Sequence, residues 1–144
     1  MAHLPRLISR LSRPLLATSF IVGGYGVLRA PGPLPELARQ RGVPYPEAAT
    51  RATAAGMIAG GLALGTGLAP VVGGGLLVAC LVPTTVAVHG FWRQPDPVRR
   101  RAQRNEFFKN VSLLGGLVIA AVEARSAAPA SSAAPASFAT PEGA

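Results

Sequence analysis

Cysteine, histidine and lysine are all scarce in this chain of 144 residues, and each scarcity excludes something. Cys80 stands alone, so the chain has no internal disulfide and no C-x-x-C pair for redox chemistry or haem attachment. His3 and His89 are the only histidines, too few for a bis-histidine haem site or a metal cluster within one chain. Lys109 is the single lysine beside thirteen arginines. Charge of either sign is rare, at 14% of residues, where a soluble domain carries about 25%. The rarity is also local. Between Arg51 and Arg93, 41 consecutive residues include no Asp, Glu, Lys or Arg. As helix such a run extends for about 60 Å, twice the roughly 30 Å hydrocarbon core of a bilayer. It breaks near its middle at Gly65-Thr66-Gly67-Leu68-Ala69-Pro70, which predicts two spans joined by a tight turn.

What is abundant fits a membrane protein. Hydrophobic residues make up 49% of the chain. A net charge of +8 would suggest nucleic acid in a soluble protein. Beside apolar runs, the same charge marks the cytoplasmic flank of a membrane, and no nucleic-acid partner is expected.

The pattern predicts an all-α fold: an integral membrane four-helix bundle with a short N-terminal amphipathic helix and a disordered C-terminal tail. Leu4, Leu7, Ile8 and Leu11 follow the i, i+3, i+4, i+7 spacing of one helix face, with Arg6, Arg10 and Arg13 off it. Residues 1–13 therefore read as an interfacial helix. The first span covers about 14–28, with Arg13 reaching toward the headgroups. A cleaved signal peptide is the rival reading, but Arg29 and Pro31 interrupt the stretch where a small-x-small site should follow. Residues 29–48, with five prolines, read as a loop. Pro46 suits the first turn of a second span over about 47–68, and Glu47 suits its dipole. A third span covers 70–92. Asp96 is placed to cap a helix that opens with Pro97, of which about 107–124 forms the fourth span. The tail, 125–144, repeats SAAPAS at 126–131 and 132–137 and has too few large apolar residues to repay ordering.

Counting Lys and Arg sets the orientation. Arg6, Arg10, Arg13 and Arg125 fall on one side of this layout, and the remaining ten fall on the other. The ten-charge side is expected to be cytoplasmic, which puts both termini outside.

Helices in lipid associate through close packing, which small residues allow. Gly56, Gly60, Gly61 and Gly65 in span two and Ser112, Gly116 and Ala120 in span four supply such faces. They serve the bundle or, alternatively, a homodimer seam. Pro83 is expected to kink span three by leaving the Ala79 carbonyl without its amide donor, with Thr84 and Thr85 at hand to help satisfy it. His89 and Trp92, three residues apart, should share a helix face at the membrane edge. Arg51, Lys109 and Asn110 should lie at the same depth. They form either an interfacial belt or a polar pocket at the mouth of the bundle, in which histidine and lysine could donate to a quinone carbonyl or an anion.

Several stretches carry a family resemblance: Arg13-Pro14 with Phe20-Ile21-Val22-Gly23-Gly24, then Arg51 ahead of a glycine-rich span. Leu81-Val82-Pro83-Thr84-Thr85 and His89-Gly90-Phe91-Trp92 follow, then Phe108-Lys109-Asn110 with Leu113-Leu114-Gly115-Gly116. As an ordered set over about residues 10–124, these resemble the DoxX family of four-helix bacterial membrane proteins. The resemblance implies a plasma-membrane protein associated with redox work, acting as a subunit or scaffold for soluble partners that detoxify superoxide or resemble sulfurtransferases. Some relatives look like the DoxD-type subunit of a thiosulfate:quinone oxidoreductase, which implies a quinone as the possible cofactor. A small transporter or permeability factor is a third reading. The family offers no agreed catalytic motif, so no catalytic or metal-binding residue is assigned and an autonomous enzyme is not expected.

Overall fold

The computed structural model describes residues 3–127; most of the repetitive tail, expected to be disordered, lies outside the described residues. Among the described residues all regular structure is helical. The elements are α1 (His3–Arg29), α2 (Leu34–Gln40), α3 (Pro46–Thr66), α4 (Pro70–Val88), a 3₁₀ turn (Phe91–Arg93) and α5 (Pro97–Ala127).

Proline and glycine set most of the boundaries. Pro46, Pro70 and Pro97 each open a helix, where the missing amide hydrogen has no carbonyl to meet. α3 ends at Gly67, whose φ of 73° is the left-handed conformation that a side chain disfavours. Its amide donates to the Leu64 carbonyl at 3.2 Å, and three residues later α4 begins. Asp96 caps α5 as its position suggests: the Arg99 amide donates to Asp96 Oδ1 at 2.7 Å.

Three boundaries differ from the sequence reading. α1 is one continuous helix from His3 through Pro14 to Arg29, with no break between an interfacial segment and a span. The proline-rich loop contains α2, because Pro35 falls in its first turn, where proline is tolerated. α4 stops at Val88 instead of running to Trp92.

Successive long helices run in opposite directions. Along the α1–α3 contact Gly24 faces Ala54 while Ala17 faces Gly65; along α3–α4, Gly56 faces Cys80 and Gly60 faces Leu77. α5 returns against α4 through Asn110 and Thr85, and meets α1 where Gly116 faces Leu16. The core takes Phe20 from α1, Leu64 from α3, Leu77 and Leu81 from α4, and Leu117 and Ala120 from α5.

The outer surface is apolar where a soluble protein would be polar. α1 exposes Leu15 and Val22, α4 exposes Val72, Val82 and Val86, and α5 exposes Val118, Ile119 and Val122. Among the described residues, three helical stretches are long and apolar enough to cross a membrane: Leu11–Arg29, Pro70–Arg93 and Pro97–Ser126. α3 has 21 residues, about 32 Å of helix, but is not among these three stretches.

α3 lies between α1 and α4, and its small residues bring the backbones together. A methyl group built on Gly60 would lie 2.9 Å from Leu77 and 3.0 Å from the Gly73 carbonyl oxygen. One on Gly61 would lie 2.7 Å from Ile21, and one on Gly24 would lie 2.6 Å from the Ala54 carbonyl oxygen. Gly56 and Gly65 are nearly as tight, against Cys80 Sγ and the Ala17 methyl. α5 packs less closely. A methyl on Gly116 would make ordinary contact with Leu16 at 3.4 Å, Ala120 is buried, and Ser112 is exposed with its hydroxyl bonded to the Phe108 carbonyl.

This geometry ranks the glycines. Gly60→Ala and Gly24→Ala should each lower stability by about 1–3 kcal/mol through overpacking against backbone. Gly116→Ala and Gly75→Ala, the latter facing open space, should stay within about 0.5 kcal/mol of wild type. Thermal unfolding in mild detergent measures the order; equal losses at all four positions would contradict the packing described.

Candidate functional site at the arginine-rich end

Of the five polar residues expected at the membrane edge, four are each held by a different partner. His89 caps the end of α4, its amide donating to the Thr85 carbonyl at 2.9 Å. The chain then turns at Gly90, where the Phe91 amide donates to the His89 carbonyl at 2.8 Å, an inverse γ-turn. His89 and Trp92 therefore do not share a helix face: one ends α4 and the other lies in the 3₁₀ turn beyond it. The His89 ring reaches α5 instead, with Nδ1 2.8 Å from Gln103 Oε1, so Nδ1–H donates.

Trp92 belongs to an aromatic knot. Its ring meets Phe91 edge-on at 5.2 Å and Phe107 at 5.6 Å, and Phe107 meets both Phe91 and Phe108 at 5.6 Å. Edge-to-face pairs add about 0.5–1.5 kcal/mol each beyond the area they bury, so this knot fastens the 3₁₀ turn to α5. The Arg93 guanidinium covers the Trp92 ring at 5.6 Å. Arg100 closes the connection from the other side, donating to the carbonyls of Gln94 and Pro95 at 2.9 and 3.1 Å.

Asn110 is buried and donates through Nδ2 to Thr85 Oγ1 at 3.0 Å, while the Thr85 hydroxyl donates to the Leu81 carbonyl at 2.6 Å. This chain of two bonds joins α5 to α4. Thr84 donates to the Cys80 carbonyl at 2.7 Å. Neither threonine hydroxyl reaches the Ala79 carbonyl that Pro83 leaves without a donor, and α4 stays helical through the proline. Cys80 is buried against Gly56, a packing role. Lys109 is exposed and pairs with Glu106 one turn earlier on the same helix. Arg51 is exposed on α3. Among the described residues, none of the five bonds to another, and His/Cys/Asp/Glu residues nowhere gather as a metal site.

Two features at this end were not anticipated from sequence. One is α2, tied down by Arg39, which pairs with Glu36 on its own helix and with Glu47 at the start of α3, the latter at 2.5 Å. The other is a cavity of about 210 Å³ beneath it, lined by Val27 of α1, Leu34 and Leu37 of α2, Thr50 and Met57 of α3, and Pro83 and Ala87 of α4. The signal for α2 was present, since Leu34, Leu37 and Ala38 stand at i, i+3, i+4. The surrounding prolines masked it.

The Asn110–Thr85 bond is expected to couple two helices inside an apolar bundle, where such bonds contribute about 0.6 kcal/mol and at most about 1.7. In a double-mutant cycle of Asn110→Leu and Thr85→Val, the coupling energy in detergent should fall in that range. Lys109→Arg should leave stability unchanged. A coupling energy of zero would show that the two side chains act independently.

No curated protein and no solved structure shows significant similarity to the chain. A family model described as DoxX matches residues 9–90. The match takes in α1 from residue 9 onward, the glycine seam of α3, all of α4 and the turn at His89-Gly90, and it stops short of the α5 segments Phe108-Lys109-Asn110 and Leu113-Leu114-Gly115-Gly116. It covers more than half of the sequence, and three helices here have the length and apolar surface of membrane spans: the chain belongs to the DoxX family and is a membrane protein.

Proposed function

We propose that this protein is a membrane subunit or scaffold that holds a soluble redox or thiol-detoxifying partner at the bacterial plasma membrane, with little chemistry of its own. One observation carries the reading. At the arginine-rich end, the side chains that could perform chemistry are engaged within the chain, while Arg101 and Arg104 near the start of α5 are exposed. His89 is bonded to Gln103, Asn110 to Thr85 and Lys109 to Glu106. Arg101 and Arg104 are exposed and share a helix face with exposed Phe108. A basic face with an aromatic residue at its end suits an acidic partner, since Arg and large aromatics concentrate binding energy at interfaces.

The positive-inside rule makes this end cytoplasmic, where soluble partners of that kind reside. A quinone-linked role draws less support, because the His89 and Lys109 donors already have acceptors beside them. A transporter role draws less still: α3 and α4 carry no charged residue between Arg51 and Arg93 that would mark an ion or substrate path.

Two experiments test this. Purification in mild detergent, with mass spectrometry of co-purifying proteins, should recover a soluble redox enzyme. Arg101→Glu with Arg104→Glu should reduce that recovery about tenfold or more, while Lys109→Arg leaves it intact. Recovery indifferent to the charge reversal would remove α5 as the docking face. On a Cys80→Ala background, a cysteine at Gln94 should react with a membrane-impermeant reagent only after the membrane is opened. Labelling of intact cells would reverse the orientation.

A further inference from the structure

The cavity between α1, α2, α3 and α4 has no part in holding a soluble partner, and its composition points to an occupant of its own. Its wall is apolar: Val27, Leu37, Met57, Pro83 and Ala87 contribute hydrocarbon. The threonine hydroxyls of Thr50 and Thr84 are turned to carbonyls of their own helices, at 2.8 Å to Pro46 and 2.7 Å to Cys80. The hydroxyl of Thr53 is the one threonine hydroxyl of the wall left to a ligand, so a polar ligand would find a single group to bond there. An apolar cavity of about 150 Å³ stays dry and accepts benzene, so a space of 210 Å³ holds more hydrocarbon than one aromatic ring.

Arginines adjoin residues of this wall in the chain. Arg51 follows Thr50, Arg41 comes two residues before Val43, and all but the arginines belong to the wall. Both arginines are exposed and, among the described residues, neither has an ion-pair partner. Arg39, by contrast, is held by two carboxylates and fastens α2 over the cavity. A hydrocarbon chamber beside unneutralised guanidinium groups matches the two ends of a single amphiphile. The helices that wall it expose apolar surface of the kind that meets lipid.

We infer that the cavity under α2 binds an acyl chain of an anionic phospholipid, with Arg41 and Arg51 taking the phosphate. The chain enters among Leu34, Leu37, Met57 and Ala87, and the headgroup stays at the surface, where arginine donates two parallel bonds to phosphate oxygens. Burial of several methylenes supplies the affinity, and the guanidinium pair supplies the preference for an anion.

The test uses the full chain, reconstituted into vesicles of equimolar phosphatidylcholine and phosphatidylglycerol that also contain a ubiquinone analogue. After mild detergent extraction, native mass spectrometry reads what remains bound. Wild type should retain a single phosphatidylglycerol in preference to phosphatidylcholine. Ala87→Trp, which fills the cavity, should reduce retention about tenfold, while Ile119→Trp on the outer face of α5 should not. Arg41→Gln with Arg51→Gln, exposed changes that leave the packing intact, should abolish the preference between the two lipids. Retention of the quinone analogue in place of phospholipid would overturn the assignment. So would equal retention by Ala87→Trp, or a preference unchanged without the two arginines.

Discussion

The close approach of α3 to α1 and α4 is the constraint on which the rest of the structure depends. Lipid tails are as apolar as leucine, so helices within a bilayer are not driven together by exclusion from water, and they must gain their cohesion from contact. Gly60 faces Gly73 and Leu77 on one side, and Gly61 faces Ala17 and Ile21 on the other. This double seam has a consequence for composition. Of the four long helices, the one at the centre of the packing is the one without a stretch apolar enough to count as a membrane span, since it presents small side chains for close contact, while bulky apolar residues stand on the outward faces of α1, α4 and α5. Length and apolar composition alone therefore pass over the helix that holds the others together.

Polar groups are arranged on the same logic. Thr18, Thr50, Thr66, Thr84 and Thr85 each donate a hydroxyl to a carbonyl four residues earlier, so no threonine hydroxyl of this set depends on water. Asn110 bonds across between α5 and α4, and it pairs with a threonine that is itself satisfied. Arg13 lies at the opposite end, with Nη1 3.9 Å from where a Cβ of Gly67 would stand, near the carbonyl end of α3 that favours a cation. Between these two ends the core is hydrocarbon. Reactive side chains are absent from it apart from Cys80, which is packed against glycine.

The function proposed for this architecture lies at the arginine-rich end, and that end has two distinct parts. The connection from α4 to α5 is a latch of aromatic rings, His89–Gln103 and the Arg100 bonds, which positions the exposed arginines of α5. The connection from α1 to α3 is a short helix over an apolar space. The first presents charge to whatever lies beyond the membrane surface. The second encloses the hydrocarbon pocket inferred to take a lipid chain. Both arise because loops at a membrane boundary are free of the need to satisfy their backbone inside lipid.

Features that depend on neighbours in the chain were legible in the sequence. The uncharged run predicted α3 and α4 and the turn between them, the Asp96-Pro97 pair predicted the start of α5, and the four-residue spacing of Gly56 and Gly60 marked a face that α4 occupies. Each follows from local chemistry: proline's missing amide hydrogen, a cap's carboxylate, glycine's missing side chain. Tertiary structure alone decided the partners. His89 and Trp92 are three residues apart, yet the turn at Gly90 sends one ring to Gln103 and the other to Phe107. Lys109 and Asn110 are adjacent, yet the 100° step between helical neighbours leaves one in the open and buries the other against Thr85. The cavity has no motif of its own, because four helices contribute to its wall and a void is a property of how surfaces fail to meet.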